Sequence, residues 1–203
     1  MAPTPARRQA TTALLDAAES LLVDVGYAGV TVRALAERAG VNQGLIHYYF
    51  GSMEEVLVQT LERFTERLIE RQVAMYAGSE PFVTRWRRAM VYLSEDFESG
   101  YQKIWFELQA LAWNRPELRD RVAKVLQRWV DVLRPAFAAG LDELGIDRDR
   151  IPVEALVALV ATFNQGVMVE RLLGADSGHA QLLAWIDAWL TEQERANHAR
   201  TRA

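Results

Sequence analysis

Apolar residues recur at helical spacing along most of the chain. Beyond Phe50 they mark six segments, which cover approximately residues 52–77, 81–99, 101–114, 116–140, 152–173 and 178–196. Glycine, proline and polar clusters separate these segments, and few of them have the alternation of a strand. The pattern therefore predicts an all-α fold in which Pro135 kinks or splits the fourth segment. The Arg- and Ala-rich tail after about Glu194 is expected to fray.

The first fifty residues predict three shorter helices. One is amphipathic and ends at Gly26-Tyr27. Its apolar face is formed by Ala13, Leu14, Ala17, Ala18, Leu21, Leu22 and Val25. The other two lie within Thr31 to Phe50 and are separated by Gly40, a residue that tolerates the positive φ of a helix end.

The segment from Thr31 to Phe50 has the pattern of a helix-turn-helix, whose second helix lies in the DNA major groove. Thr31 and Asn42 are good N-caps for the two helices. Val32, Leu35, Ala36 and Ala39 form the apolar face of the first helix, while Ile46, Tyr49 and Phe50 form that of the second. Gly44, Leu45, His47 and Tyr48 are then predicted to face outward. A capping box, Ser52 to Glu55, begins the next helix.

The last two helices are apolar on more than one side, so each must be buried on more than one side. A second subunit is the natural cover, and the predicted dimer interface comprises Leu156, Val160, Val167, Leu182, Trp185 and Trp189. The alternative is that both helices are central in a monomeric bundle. A dimer also suits the helix-turn-helix, because two copies can contact two half-sites.

Aromatic residues are abundant in the middle helices. Single aromatic side chains are ordinary core, but a group of them with a few polar neighbours can line an apolar ligand pocket. The candidate pocket residues are Trp86, Phe106, Glu107, Trp113, Phe163, Asn164 and Met168. Trp113 and Phe163 are predicted to form the lining, with Glu107 or Asn164 as the polar anchor. A pocket and an ordinary core both remain open for this group.

The net charge of −4 is unfavourable for binding DNA, but its distribution changes the picture. Residues 1–50 carry four arginines and four acids, whereas residues 51–203 carry 19 basic and 23 acidic side chains. The sequence thus predicts a neutral DNA-binding region in an acidic protein. Backbone N–H groups, helix N-termini and hydroxyls would then supply much of the phosphate binding, with a modest salt dependence.

Composition excludes several classes of protein. Cysteine is absent, so disulfides and thiolate metal sites are excluded. No apolar run approaches the roughly 18 residues of a membrane-spanning helix, and the N-terminus lacks a signal-peptide core. We expect a cytoplasmic protein that uses no membrane, metal or cofactor. Only three histidines are present and no hydrolase, zinc or phosphate-loop motif occurs, which argues against an enzyme.

The run from Leu14 to Leu57, LLDAAESLLVDVGYAGVTVRALAERAGVNQGLIHYYFGSMEEVL, resembles the N-terminal DNA-binding domain of TetR-family transcriptional repressors. The cap, the corner glycine, the aromatic helix end and the flanking helix recur together, which makes the motif specific. The resemblance covers about the first 60 residues closely, and the remaining helices match only in number and size. It implies a helix-turn-helix domain over residues 1–51 and an effector-binding and dimerisation domain over residues 52–203.

The resemblance also implies roles for individual residues in binding double-stranded DNA. Gln43 and Gly44 match positions that meet base edges. His47 matches an aromatic position, usually tyrosine, that touches bases or the sugar-phosphate, and it would donate to guanine or pack on a thymine methyl. Tyr48 matches a phosphate-binding tyrosine, while Thr31, Arg33 and Asn42 would hold phosphates. Arg7 and Arg8 would act as a flexible arm, and Arg38 is expected to be only solvated. Leu45 departs from the small hydroxyl residue frequent in the family, and Met53 departs from its frequent lysine.

The predicted function is a dimeric repressor that binds a palindromic operator and is released by an apolar or amphipathic small molecule. The helix from Ser52 would couple effector binding to the spacing of the two DNA-binding regions. The alternative is a DNA-binding regulator that has no small-molecule effector. Both repression and activation of transcription are compatible with the sequence.

Overall fold

The computed structural model describes residues 4–175 and 178–202. Regular structure in these ranges is entirely helical, so the predicted all-α class is confirmed. The α-helices are α1 Pro5–Val25, α2 Val32–Ala39, α3 Gly44–Phe50, α4 Met53–Tyr76, α5 Phe82–Glu98, α6 Tyr101–Trp113, α7 Pro116–Glu143, α8 Val153–Leu172 and α9 His179–Arg202. A single 3-10 turn, Tyr27–Gly29, follows α1.

The prediction that the C-terminal tail frays was wrong, and the prediction that Pro135 kinks or splits its helix was wrong as to a split. The tail after Glu194 does not fray, because α9 continues to Arg202 through residues that are mostly good helix formers. Pro135 does not split α7, which runs as one helix from Pro116 to Glu143. The next turns bury Phe137 and Leu141, and this burial offsets the backbone hydrogen bond that proline removes.

The chain forms two compact units. The first comprises residues up to Arg67 together with Asp96–Val125, and the second comprises Leu68–Glu95 together with residues from Leu126 onward. Residues 52–67 and 96–125 therefore group with the helix-turn-helix, whereas the sequence placed the functional boundary after residue 51. That boundary stays a prediction about function.

The first unit has a dense apolar core. In this core α1 packs against both α2 and α6. The fully buried side chains come from α1, α2, α3, the first half of α4, and α6, and include Leu14, Leu22, Leu35, Ile46, Leu57, Leu61, Ile104 and Leu108. Burial of a Leu or Ile side chain is worth about 1.5–3 kcal/mol, so this core fixes the position of the helix-turn-helix.

The second unit has a separate core between α5, α7, α8 and α9. Its buried members are Phe82, Val83, Trp86, Phe137, Leu141, Leu144, Val153, Val157 and Leu190. Arg85 lies against this core and is buried, but its guanidinium is paired with Glu143 and donates to the Tyr76 carbonyl oxygen at 3.0 Å. Burial raises the pKa of the neighbouring Tyr76 phenol to about 12.

Helix α8 is unusually apolar. By length and mean hydropathy (1.3) it is a candidate for crossing a membrane, which corrects the prediction that no segment reaches this threshold. Only 22% of its most apolar window is buried in a single chain. The same property is common in core helices of soluble proteins, so it is weak evidence for a membrane span. Because so little of this apolar helix is buried, we expect a second molecule to cover its exposed part.

Candidate nucleic-acid interface and apolar cavity

Side chains and glycine fix the ends of α2. The Thr31 hydroxyl accepts from the Ala34 N–H at 3.1 Å, which confirms the predicted N-cap. Gly40 ends the helix in the left-handed region, with φ 66° and ψ 33°. Leu35 and Ala36 are buried between these ends, and the chain can turn directly into the next helix.

The recognition helix α3 begins with a different capping arrangement. The Asn42 side-chain oxygen accepts from the Gly44 N–H at 2.8 Å, whereas Gln43 makes no capping bond although it precedes the first helical residue. Asn42 therefore satisfies the exposed end of the helix and still has an amide NH₂ to donate. The Gln43 side chain is exposed and has no role in ending the helix.

The two sides of α3 are chemically distinct. Ile46 and Phe50 are buried, whereas His47 is exposed and Tyr48 is 74% exposed. Leu45 is half-buried. The outward side thus presents an imidazole and a phenol, groups that can bond bases and phosphates.

Tyr49 lies between these two sides. It is half-buried, stacks edge-on with Tyr48 at 5.1 Å between ring centroids, and lies under the guanidinium of Arg7 at 5.6 Å. Arg7 and Arg8 are in the first turns of α1, which Thr4 caps through the Arg7 N–H. They are therefore part of a helix and not the predicted flexible arm.

Every acid within residues 1–50 is paired with an arginine. Arg33 contacts Glu37 at 2.8 Å and Arg38 contacts Asp24 at 3.0 Å. The bond from Arg38 holds the pKa of the Asp24 carboxyl below its usual range. Arg38 also donates to Ser20, so the prediction that it is only solvated was wrong.

The remaining two acids are neutralised from α4. Arg63 lies 2.7 Å from Asp16 and 3.2 Å from Glu19, and Arg67 lies 2.7 Å from Glu19. Both arginines follow residue 50, so the count along the sequence had not assigned them to this region. These contacts neutralise the two acids locally, while the first unit as a whole carries 11 basic and 13 acidic side chains.

Ion pairs also fix the helix that follows α3. The Ser52 hydroxyl accepts from the Glu55 N–H at 3.1 Å, as the capping box predicts. The Glu54 carboxylate is paired with Arg115, which holds the pKa of Glu54 below its usual range. Arg121 donates to Glu62 at 3.0 and 2.7 Å and is also paired with Glu55. These contacts join the start of α4 to the start of α7 within the first unit.

Helix α6 holds the end of α1. The Tyr27 N–H donates to Glu107 Oε2 at 2.6 Å, and Lys103 Nζ donates to the Val23 carbonyl oxygen at 2.9 Å. Glu107 was predicted to anchor a ligand, but its carboxylate satisfies a backbone group beyond the end of α1. Trp113 is 72% exposed, so the prediction that it forms a pocket lining is also wrong.

An apolar cavity of about 570 Å³ lies within the second unit. Two of the predicted pocket residues, Trp86 and Phe163, line it. Phe106 is half-buried in the first unit, Asn164 is half-buried on α8, and Met168 is buried, but none of these three lines the cavity. The aromatic character of the site was thus predicted from the sequence, but three of the predicted residues lie on α6, which does not line the cavity.

Most of the predicted dimer residues also line this cavity. They are Leu156, Val160, Leu182, Trp185 and Trp189. The sixth, Val167, is buried within a single chain, so it is not available to a partner. Leu159 also lines the cavity and is 66% exposed, and Trp185 is 64% exposed. The exposed side chains mark the open side of the cavity.

Comparison with known proteins agrees with these features. A family model described as "Bacterial regulatory proteins, tetR family" matches residues 14–60. The HTH-type transcriptional regulator BetI of Rhizobium meliloti is 40% identical over 78 residues, which cover 38% of this chain and 37% of that protein. The HTH-type transcriptional regulator CymR of Pseudomonas putida is 27% identical over 163 residues, which cover 80% of this chain and 79% of that protein.

The likeness extends to solved structures. The transcriptional regulator FadR from Bacillus subtilis, crystallised in complex with stearoyl-CoA, superposes with a TM-score of 0.71 at 18% identity. The superposition covers 88% of this chain and 96% of that one, and at this identity it establishes the fold. Together with the helix-turn-helix geometry, these findings show that residues 14–60 are a DNA-binding domain of the tetR family of bacterial regulatory proteins, in a chain that has the fold of such transcriptional regulators rather than that of an enzyme.

Proposed function

We propose that this regulator is a repressor that binds a palindromic operator as a homodimer and is released by an apolar small molecule. The apolar cavity of the second unit is the observation that carries the ligand response. Its volume of about 570 Å³ falls within the range of roughly 300–1,000 Å³ of small-molecule sites. A repressor without an effector has no need of such a space, because closely packed interiors leave few voids larger than water.

The proposed DNA contacts follow from the capping geometry. Gln43 and Gly44 begin α3 and would meet base edges, together with His47. Thr31 accepts from a backbone N–H, so its hydroxyl hydrogen remains for a phosphate oxygen. Asn42 keeps its amide NH₂ for the same purpose.

Tyr48 and Arg33 would make the other two polar contacts with DNA. Tyr48 is highly exposed and would bond phosphate. Arg33 would have to share its guanidinium between a phosphate and Glu37, because an exposed pair already joins the two side chains. Leu45 would contact a thymine methyl, the apolar group that the major groove offers.

The homodimer is supported by the exposed apolar side chains of α8 and α9. Leu173 is 79% exposed, and Leu159 and Trp185 are each about two-thirds exposed. Val169, Leu172 and Leu182 are exposed to a lesser degree. A patch of this kind on two adjacent elements is typical of an interaction site. A second copy would cover it with the same surface, as in a two-fold dimer.

The chemistry of the cavity favours an apolar effector. Aromatic and aliphatic side chains from α5, α7, α8 and α9 form nearly the whole lining, and among the described residues Arg150 is the only charged one that lines it. Stearoyl-CoA, the ligand named for the FadR structure, has a long apolar part, which is compatible with a similar class of effector here. Helix α4 contributes residues to both compact units and would be the coupling element.

The test begins with an operator selected from a pool of randomised duplexes by the full-length protein. Straight-chain fatty acids of graded length and neutral aromatic compounds are then titrated against the complex, with fluorescence anisotropy of labelled operator as the readout. We expect at least one compound to lower operator affinity about 5- to 150-fold, the usual range of allosteric coupling. The same compound must raise the melting temperature of the free protein.

Cavity filling provides the matched control. Ile146→Trp places a large side chain on the cavity wall at a half-buried residue outside the predicted dimer interface, and it should abolish the ligand response. Val91→Trp changes an exposed valine outside the lining and should leave the response intact. If Ile146→Trp responds like the wild type, the effector site is elsewhere. If no compound shifts either operator affinity or melting, the effector-free regulator becomes the better function, while selection of an operator would still support DNA binding.

A further inference from the structure

The imidazole of His47 has a defined partner at the end of the recognition helix. Its Nδ1 lies 3.2 Å from the carbonyl oxygen of Gly51. A carbonyl oxygen only accepts hydrogen bonds, so Nδ1 must carry the hydrogen of this contact. The proton is thus assigned by the hydrogen-bond partner.

Gly51 is positioned for this role by the way α3 ends. Its N–H donates to the His47 carbonyl oxygen at 2.9 Å, and its φ of 78° turns the chain out of the helix. Glycine adopts this conformation at little cost, whereas other residues rarely do. One residue therefore ends the recognition helix and also orients a carbonyl toward the outward imidazole.

The hydrogen on Nδ1 decides what the other ring nitrogen can do. A neutral imidazole has only one N–H, so Nε2 carries a lone pair and accepts. We infer that His47 is a specificity-determining residue that recognises a base amino group in the major groove, namely the N4 of cytosine or the N6 of adenine. This inference rests on the DNA-binding role of α3 and goes beyond it.

The same geometry rejects the other two bases. Guanine presents O6 and N7, and thymine presents O4, all of them acceptors that would face the Nε2 lone pair. From the sequence, His47 is expected to donate to guanine or to contact a thymine methyl. The Gly51 carbonyl reverses the first expectation, because a donor at Nε2 requires the other neutral tautomer or a protonated ring.

The tautomer can be measured without DNA. Long-range ¹H–¹⁵N correlation spectra of the full-length protein at pH 8, above the ordinary titration range of imidazole, distinguish a protonated ring nitrogen from a bare one. The chain has three histidines, and the resonances missing from His47→Gln identify those of His47. We expect hydrogen on Nδ1, and hydrogen on Nε2 would overturn the inference.

The base preference is measured by selection from a pool of randomised duplexes at pH 8. With the wild type we expect adenine or cytosine to be favoured about 3- to 10-fold at one position of each half-site, the effect of a single net hydrogen bond. His47→Phe keeps an aromatic ring but has no acceptor, so it should lose this preference. Gln43→Ala is the matched control, because it should retain the preference at that position and lose one elsewhere.

The possible outcomes distinguish a failure of base recognition by His47 from a failure of operator binding. Guanine or thymine at the His47-dependent position, or an unchanged profile for His47→Phe, contradicts the inference while leaving operator binding in place. If the wild type enriches no sequence from the pool, that result contradicts operator binding itself and therefore also base recognition by His47. Matching melting temperatures of wild type and His47→Phe confirm that the exposed substitution has not altered the fold.

Discussion

Helices α3 and α8 use their apolar residues in opposite ways. Helix α3 buries Ile46 and Phe50 completely or nearly so and exposes polar groups. Helix α8 buries Val157 and Met168 but leaves Leu159 and Leu172 exposed. A helix that is apolar on one side only can bury its apolar side chains within one chain. A helix that is apolar on all sides buries them only when a second molecule covers the remainder.

This difference explains why the two regions suit different partners. The outward side of α3 carries hydrogen-bonding groups for a polyanion, and the acids around it are neutralised by arginines. The exposed apolar side chains of α8 and α9, such as Leu159 and Trp185, suit a second copy of the same surface or an apolar ligand.

The largest effect is expected at the exposed apolar surface. The double substitution Leu159→Glu with Trp185→Glu places two charges on the side that a second copy would cover. Burying unpaired charges is prohibitive, so we expect a monomer by sedimentation velocity at micromolar concentration. Specific operator affinity should fall by more than about 100-fold, since one DNA-binding region then loses its partner.

Two exposed valines of the second unit give the control. Val73→Glu with Val91→Glu adds the same charge at side chains that do not line the cavity. This variant should sediment like the wild type and bind the same operator. A wild-type chain that sediments as a clean monomer contradicts the dimer directly.

The next effect concerns the buried side of α3. Ile46→Ala removes a fully buried side chain, and we expect a loss of about 2–5 kcal/mol in the free energy of unfolding. Leu159→Ala, a matched truncation of an exposed side chain on α8, should change the stability of a monomeric variant by less than about 0.5 kcal/mol. Equal losses in urea unfolding would show that the two helices do not differ as described.

Much of the DNA-binding region was predictable from the sequence, because its determinants are local. The Thr31 cap, the Gly40 turn and the Ile46 and Phe50 core positions act within a few residues of each other. The contacts of Arg63 and Arg67 with acids of α1 were not predictable, because they join residues more than forty positions apart. The local neutralisation of these acids was therefore not predicted.

The candidate pocket was less predictable for the same reason. Aromatic residues on α5, α6 and α8 look alike in sequence, and only packing separates the exposed Trp113 from the cavity-lining Trp86 and Phe163. Glu107 looked like a polar anchor because it lies among apolar neighbours. Its actual partner, the Tyr27 backbone, lies eighty residues away.

A smaller effect is expected when single groups on the outward side of α3 change. Gln43→Ala should weaken binding by roughly 1–3 kcal/mol at particular operator positions, because a base contact specifies sequence. Tyr48→Phe should weaken all sequences alike, because a phosphate contact carries no sequence information. Binding profiles across an operator library distinguish the two, and identical profiles would refute these assignments.

The smallest effect is the acid sensitivity of the Glu54–Arg115 pair. Because the pKa of Glu54 is lowered by its bond to Arg115, the pair stabilises the fold above the ordinary value near 4.5. That stabilisation is lost as the pH falls through the lowered pKa and the carboxylate becomes protonated. Both side chains are about one-third exposed, so we expect less than about 1 kcal/mol.

Urea unfolding of wild type and Glu54→Gln between pH 7 and pH 3 measures this contribution. The wild type should be the more stable at pH 7, and the difference should shrink toward pH 3. A difference that stays constant with pH, or grows on acidification, would mean that the pair does not act through the charge of Glu54.

The central claim is that the outward side of α3 binds DNA in two copies held together by α8 and α9. Hydroxyl-radical footprinting of the selected operator tests it most directly. We predict two equivalent protected half-sites related by inverted symmetry, both lost together in the Leu159→Glu, Trp185→Glu variant. A single asymmetric footprint, or a symmetric one that persists in this variant, would contradict the account.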